Sequence, residues 1–224
     1  AKNQIKVLGK IVSSIIGNKR LPMLIIDQNP KIQDRSIFNA RAAAIYGFSI
    51  FGRNHSYLLD VNNNINYESL NNFLEKYGKG NFLVFGFTSL VYENLILKFS
   101  SKKVKSNFRN AILIHGGGWK KMEKLKINDY IFKKKLIKKI KLNQVHNYYG
   151  LVEQTGSIFI QSKKCGYFHT SIFSDVFIRD NKFNVLNQNK PGLIQLLSLL
   201  PTSYPGHNIL TEDIGEILGE DNCK

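Results

Sequence analysis

Three short strand candidates that each stop on glycine constrain this chain more than any other feature of it. Phe82-Leu-Val-Phe85 meets Gly86, Ala111-Ile-Leu-Ile114 passes through His115 into Gly116-Gly117-Gly118, and Val145-His-Asn-Tyr-Tyr149 meets Gly150. Continuous apolar runs of this length, bounded by glycine, read as strands covered on both faces. Met23-Leu-Ile-Ile-Asp27 reads as an earlier strand of the same kind. Stretches with helical spacing lie between them, so the order strand, helix, strand predicts an α/β fold with a mostly parallel sheet flanked by helices. Ligands of such sheets bind at the carboxyl ends of the strands. The three glycine-marked ends therefore point to one site.

The helices are legible from their ends as well as their faces. Tyr67, Leu70, Phe73, Leu74 and Tyr77 fall at helical spacing between Asn66 and Gly78, a start and stop of the usual chemistry. Ser36 is placed to cap a helix over Ile37–Tyr46 that ends at Gly47, and Leu90, Val91, Leu95 and Ile96 mark another. Asn128 or Asp129 caps a helix expected to turn Ile131, Phe132, Leu136, Ile137 and Ile140 inward and its lysines outward. After Gly156 the pattern changes. Ser157–Gln161, Asp175–Asp180 and Leu193–Leu197 read as strands joined by turns at Asn187–Gly192 and Ser203–His207. The expected organisation is an α/β nucleotide-binding core over residues 1–156 and a β-rich C-terminal extension of the same domain over 157–224.

Composition narrows the function. Hydrophobic residues make up 43% of the 224 and charged residues 21%, ordinary values for a chain that buries a core. The net charge of +16 raises nucleic-acid binding as an alternative. The lysines cluster at 120–126 and 133–141 with few arginines or aromatics among them, which lacks base-reading forks and stacking platforms. No nucleic-acid partner is expected. Cys165 and Cys223 are the two cysteines, too few for a disulfide framework and without zinc spacing. Cys165 and His169 have ligand-like spacing, but no further pair supports a metal there. There is no signal peptide pattern. The most apolar run, Leu193–Leu200, is too short to span a bilayer, so a cytoplasmic protein is expected.

Three motifs carry candidate chemistry. In Tyr149-Gly150-Leu-Val-Glu153-Gln-Thr155-Gly156, an aromatic at a strand end can stack on a base and the adjacent glycine admits a ligand close to the backbone. The carboxylate that follows suits Mg²⁺. The plain alternative is a strand end with a surface glutamate. In His115-Gly116-Gly117-Gly118-Trp119-Lys120, bare backbone can lie against a flat ring, although the P-loop and dinucleotide spacings are absent; the alternative is a turn. In Thr211-Glu-Asp213-Ile-Gly215, a carboxylate at a turn can accept from ribose hydroxyls, although Asp before a turn glycine is common.

Together and in this order the three motifs resemble those of the adenylate-forming superfamily, the acyl-CoA synthetases and their relatives. The closer resemblance is to the bacterial acyl-protein synthetase (LuxE-like) family. It is carried by Ala40-Arg-Ala-Ala43, Phe85-Gly-Phe-Thr88, His115–Lys120, Tyr149–Phe159, Asp175–Asp180, Ser203-Tyr-Pro-Gly-His207 and Leu210-Thr-Glu-Asp213. The resemblance implies part of the large N-terminal domain of adenylate-forming enzymes. It implies that Gly116, Gly117, Gly118, Tyr149 and Gly150 hold the adenine of ATP or AMP and that Asp213 holds the ribose. It further implies that Glu153 binds Mg²⁺ and that Thr155 or Gln154 takes over the α-phosphate contact, since Val152 stands where the superfamily has Thr or Ser. Gly116–Gly118, Tyr149 and Asp213 are expected to line one cleft.

The implied activity is ATP-dependent activation of a fatty or other carboxylic acid as an acyl-adenylate, followed by acyl transfer to a protein thiol and on to an acyl-accepting partner protein. The phosphate loop of the superfamily is expected upstream of Ala1, and its mobile lid and acceptor cysteine beyond Lys224, so the chain is expected to be a fragment. The other reading of such a fragment is a non-catalytic remnant that binds nucleotide or a partner.

Overall fold

The computed structural model describes residues 2–30, 40–105, 107–154, 157–202 and 204–223, without the side chains of Lys2, Ala40, Lys120, Lys121 and Val152. Two compact units divide the chain, one of residues 16–147, the other of residues 1–15 and 148–224.

The first unit is an α/β layer built on the apolar runs. Strands β1 (Leu21–Ile25), β3 (Phe82–Phe87) and β4 (Ala111–Gly116) are buried almost end to end. β1 pairs in parallel with both β2 (Gly52–Tyr57) and β3, and β3 pairs in parallel with β4. β5 (Gln144–Gly150) follows in the order β2-β1-β3-β4-β5. β2 escapes the sequence reading because Gly-Arg-Asn-His-Ser-Tyr has neither an apolar run nor alternation. Among the described residues it is the edge strand of this unit and pairs with β1, and a polar edge discourages pairing with another chain.

Helices α2 (Ala40–Ser49), α3 (Tyr67–Tyr77) and α5 (Asp129–Ile140) flank the sheet. Asn66 caps α3 by accepting from Ser69 N–H, and Asn128 caps α5 by accepting from Ile131 N–H, both at 2.9 Å. α5 buries Phe132, Leu136 and Ile140, while Ile131 and Ile137 stay exposed. The inward stripe is thus narrower than its apolar content suggests, because residues one helical position off an i, i+4, i+8 row swing about 100° away from it. The short α4 (Thr88–Val91) runs on as a π-helical turn, Tyr92–Leu97. Ser36, proposed to cap α2, lies outside the described residues.

The second unit is β-rich apart from the amphipathic α1 (Lys2–Ile16), which buries Val7 and Val12. Tyr148–Gly150 at the end of β5 pairs antiparallel with β6 (Ile158–Gln161), and β6 pairs with the two-residue β7 (Phe168–His169). A three-stranded antiparallel sheet has the order β10-β9-β8, from β8 (Ser174–Arg179), β9 (Gly192–Ser198) and β10 (Asn208–Gly215). The expected α/β fold with a β-rich C-terminal part is therefore the one observed. No helix among the described residues is long and apolar enough to cross a membrane.

Candidate functional site

In the second unit the chain leaves β5, which carries Tyr149, through a 3₁₀ turn, Val152–Gln154, with Glu153 at its middle. Tyr149 donates its phenolic proton to Asp213 Oδ2 at 2.7 Å, across 64 positions of sequence. Burial, together with this carboxylate, pushes the phenol well above its ordinary range, so the ring stays neutral and the hydroxyl remains a donor. Phe159 lies stacked beside the ring at 6.1 Å, with Phe168 at 6.5 Å.

Asp213 reaches Tyr149 because β10 bulges. Leu210 pairs with Gln195 and Ile214 with Leu193, so Thr211, Glu212 and Asp213 together face the single Ile194. Thr211 Oγ1 donates to Ile194 C=O and accepts from Asp213 N–H, at 2.9 and 3.2 Å. The segment expected as a turn is thus a bulge within a strand. The extra residues re-aim the Asp213 side chain, which a regular pleat would fix in direction.

Glu153 is exposed on the 3₁₀ turn. Gln154 is buried, donating Nε2 to Gly206 C=O at 2.9 Å and to Leu196 C=O at 3.4 Å. Its Oε1 has no partner among the described residues. Gln154 therefore fastens the turn to the loop before β10. Gly206 makes the close approach possible, since a Cβ there would stand 2.7 Å from Glu153 C=O. Gly150 also serves packing, because its Cβ would meet Ile158 and Ser157 C=O at 3.0 and 3.2 Å. Thr155 lies outside the described residues.

In the first unit, β4 ends at Gly116, and Gly117 and Gly118 cross an exposed stretch before Trp119 packs against Tyr92. Gly117 has φ +75°, which only glycine adopts freely, and a Cβ at Gly118 would meet nothing within 4 Å. Of the three glycine-marked strand ends, this one presents open backbone at Gly118, whereas a Cβ at Gly117 would stand 3.2 Å from the Phe87 ring. Gly86, by contrast, admits Ile26 and Val91 at 2.8 and 3.0 Å from where its Cβ would be. Phe85 and Phe51 are buried core.

His115 sits beneath this glycine stretch. Thr88 donates its only proton to Gly116 C=O at 3.1 Å and so accepts from His115 Nδ1–H at 3.0 Å. Burial lowers the pKa of this ring to about 3, against an opposing pull from Asp129. Unfolded, the ring binds a proton near 6.5, so between those values the unfolded state holds the extra proton and stability falls as pH drops. The urea midpoint of the wild type should fall between pH 7 and pH 5 by more than that of His115→Gln. Equal falls would show that this ring contributes nothing to the acid sensitivity.

Cys165 and His169, set aside in the sequence for want of a further ligand, have one in the second unit. Cys165 Sγ lies 3.1 Å from His169 Nε2, and Cys223, 58 positions further along the sequence than Cys165, brings its thiol to the same pair. The His169 hydrogen bond draws the Cys165 thiol down to about 6, whereas the Cys165 neighbour raises Cys223. No spacing rule foretells a third member so distant.

A family model described as acyl-protein synthetase, LuxE, matches residues 1–224. No curated protein matches the sequence. Among solved structures the chain is similar to amide bond synthetase McbA from Marinactinospora thermotolerans, at 11% identity and a TM-score of 0.58, covering 95% of this chain and 42% of that one. It is similar to ATP-bound MatB from Rhodopseudomonas palustris at 10% identity and a TM-score of 0.59, covering 96% and 41%. The luciferase-like enzyme of the nonluminescent Zophobas morio mealworm matches at 15% identity and a TM-score of 0.58, covering 95% and 49%. The chain spans less than half the length of these three structures. At such identities the likeness is one of fold.

Proposed function

This chain belongs to the LuxE acyl-protein synthetase family, and we propose from that membership that it is the nucleotide-binding part of an enzyme that activates a fatty acid with ATP and passes the acyl group to a protein thiol. A carboxylate oxygen of the acid attacks the α-phosphorus, the bond to the bridging oxygen breaks, and pyrophosphate leaves with the electron pair. A thiolate then attacks the acyl carbonyl and AMP departs.

The observation that carries this reading is the Tyr149–Asp213 hydrogen bond. It joins two motif residues, distant in sequence, into one neutral aromatic platform with a carboxylate at its edge. A flat base can rest on the ring, and the second carboxylate oxygen of Asp213 remains to accept from a ribose hydroxyl. Hard oxygen donors suit Mg²⁺, and the exposed Glu153 carboxylate would hold it. Bound there, the ion would polarise the α-phosphate and offset charge on the oxygens. The fold likeness to a structure described as ATP-bound supports the nucleotide.

The test is AMP affinity, measured by titration calorimetry, alongside ATP- and fatty-acid-dependent pyrophosphate release by the full-length enzyme. Tyr149→Ala should weaken AMP by about 10-fold or more, since stacking on one aromatic contributes roughly 1–3 kcal/mol per base. Tyr149→Phe keeps the ring and should weaken AMP clearly less than Tyr149→Ala does, because the one hydrogen bond it removes lies within the protein and contributes about 0.5–1.5 kcal/mol to the platform rather than to the base. Unchanged affinity in Tyr149→Ala would remove the adenine platform from the reading.

A further inference from the structure

The turn between β6 and β7 is built more tightly than a surface connection requires. Ser162 N–H donates to Tyr167 C=O at 2.9 Å and Gly166 N–H donates to Ser162 C=O at 3.0 Å. Gln161 Nε2 donates to Gly166 C=O at 2.6 Å and Lys164 N–H to Ser162 Oγ at 3.1 Å. Gly166 takes φ +78°, so the turn reverses directly behind Cys165. Tyr167 N–H points at Cys165 Sγ, 3.5 Å away. β7 then presents His169 opposite Ile160 of β6. Two side chains four positions apart are thereby held side by side by the backbone.

The segment after β10 brings the third group. The ligand atoms of Cys165, His169 and Cys223 all lie within 4.8 Å of one another. A tetrahedral zinc ion, with bonds of about 2.3 Å to sulfur and 2.0–2.1 Å to nitrogen, separates its ligand atoms by about 3.4–3.8 Å. The observed separations, 3.1 Å for Cys165–His169 and none above 4.8 Å, bracket that spacing. Two thiolates and an imidazole select a thiophilic ion over Mg²⁺ or Ca²⁺, which take oxygen. An N–H directed at a ligating sulfur is the outer support such sites employ.

We propose that Cys165, His169 and Cys223 form a zinc site that staples the β6–β7 turn to the segment following β10. The site is separate from the nucleotide residues and stands whether or not those have been read correctly. Binding releases the thiol protons to solvent, leaving two thiolates and a neutral imidazole on the ion. Water or a further side chain completes the tetrahedron. Because the ion binds the folded chain, it raises the unfolding temperature as free zinc rises above its dissociation constant.

The experiment starts from the reduced, metal-free chain under anaerobic conditions. Zn²⁺ should bind at one equivalent, raise Tm and protect both cysteines from iodoacetamide. Co²⁺ should give a thiolate-to-metal charge-transfer band. Cys223→Ser and His169→Ala should each weaken zinc by at least about 10-fold, the lower bound for losing even an outer support, with Cys165 regaining its reactivity. If a variant does not fold, the alkylation and Co²⁺ measurements on wild type decide alone. Alkylation unaffected by Zn²⁺, or a reduced chain that takes up no metal and forms a Cys165–Cys223 disulfide in air, overturns the proposal.

Discussion

Glu153→Gln in the full-length enzyme should lower the rate of adenylate formation by on the order of 10²-fold or more, the range seen when one preorganised transition-state charge is removed. The substitution keeps the size and shape of the side chain and deletes its charge. Glu153 lies exposed on the 3₁₀ turn that follows β5, four positions after Tyr149. Its backbone is fixed from below, since Gln154 is tied to Gly206 and Leu196 and Gly206 packs on Glu153 C=O. The carboxylate is therefore presented on a braced turn, as a ligand for a hard cation beside the phosphates should be. A carboxamide oxygen still coordinates but carries no net charge, so the phosphates lose most of their compensation in the transition state. AMP affinity should change far less, because Tyr149 and Asp213 are untouched. Tyr149→Ala should show the opposite pattern, with weakened AMP and a smaller loss of rate at saturating ATP. Single-turnover pyrophosphate release and AMP titration on both variants measure the split. Near-normal adenylation by Glu153→Gln with collapsed AMP affinity would mean that the two residues have been assigned each other's roles.

The parts of the fold visible in the sequence were those whose burial leaves a one-dimensional trace. β1, β3 and β4 are covered on both faces and so read as unbroken apolar runs. The caps of α3 and α5 were legible because an Asn side chain must satisfy a nearby N–H. β2 carried no such trace because an edge strand owes its place to backbone hydrogen bonds. β10 was read as a turn because Thr-Glu-Asp-Ile-Gly has turn composition, whereas the pairing with β9 turns those same residues into a bulge.

The site divides in the same way. Tyr149 and Asp213 were named from motif order, and their hydrogen bond joins them. Gln154, weighed for the α-phosphate, has its amide group committed to Gly206, a contact that depends on a loop 52 positions away. Gly86 and Gly150 marked strand ends as Gly116–Gly118 did, yet they admit neighbouring side chains. A glycine that makes room for packing and one that bares backbone are the same letter, and only the surroundings tell them apart. Cys223 joined Cys165 and His169 for a similar reason, since proximity in the fold leaves no mark on spacing.

Arg41→Met should destabilise the chain by about 3 kcal/mol, the lower end of what removing one partner of a buried ion pair entails. Asp27, two positions past β1, is 4% exposed, an uncommon depth for a carboxylate. Arg41, in the first turn of α2, grips it with both arms, Nε on Oδ2 at 2.5 Å and a terminal nitrogen on Oδ1. Gln28 N–H adds a third donor at 2.6 Å. The pair anchors α2 to the end of β1. Methionine preserves the apolar stem and leaves Asp27, among the described residues, with the backbone donor of Gln28. The Arg41 side chain is 39% exposed, so water can follow when the guanidinium is gone, and this places the expected loss at the low end of the range. Asp27→Asn in the Arg41→Met background should recover part of the loss, because a neutral amide is far less costly to leave buried than an unpaired charge. Urea unfolding of both single variants and the double variant at pH 7 closes the cycle. A loss below about 1 kcal/mol in Arg41→Met would place this contact with ordinary surface pairs. A double variant less stable than Arg41→Met would show that the hydrogen-bond geometry of Asp27, rather than its charge, holds the end of β1.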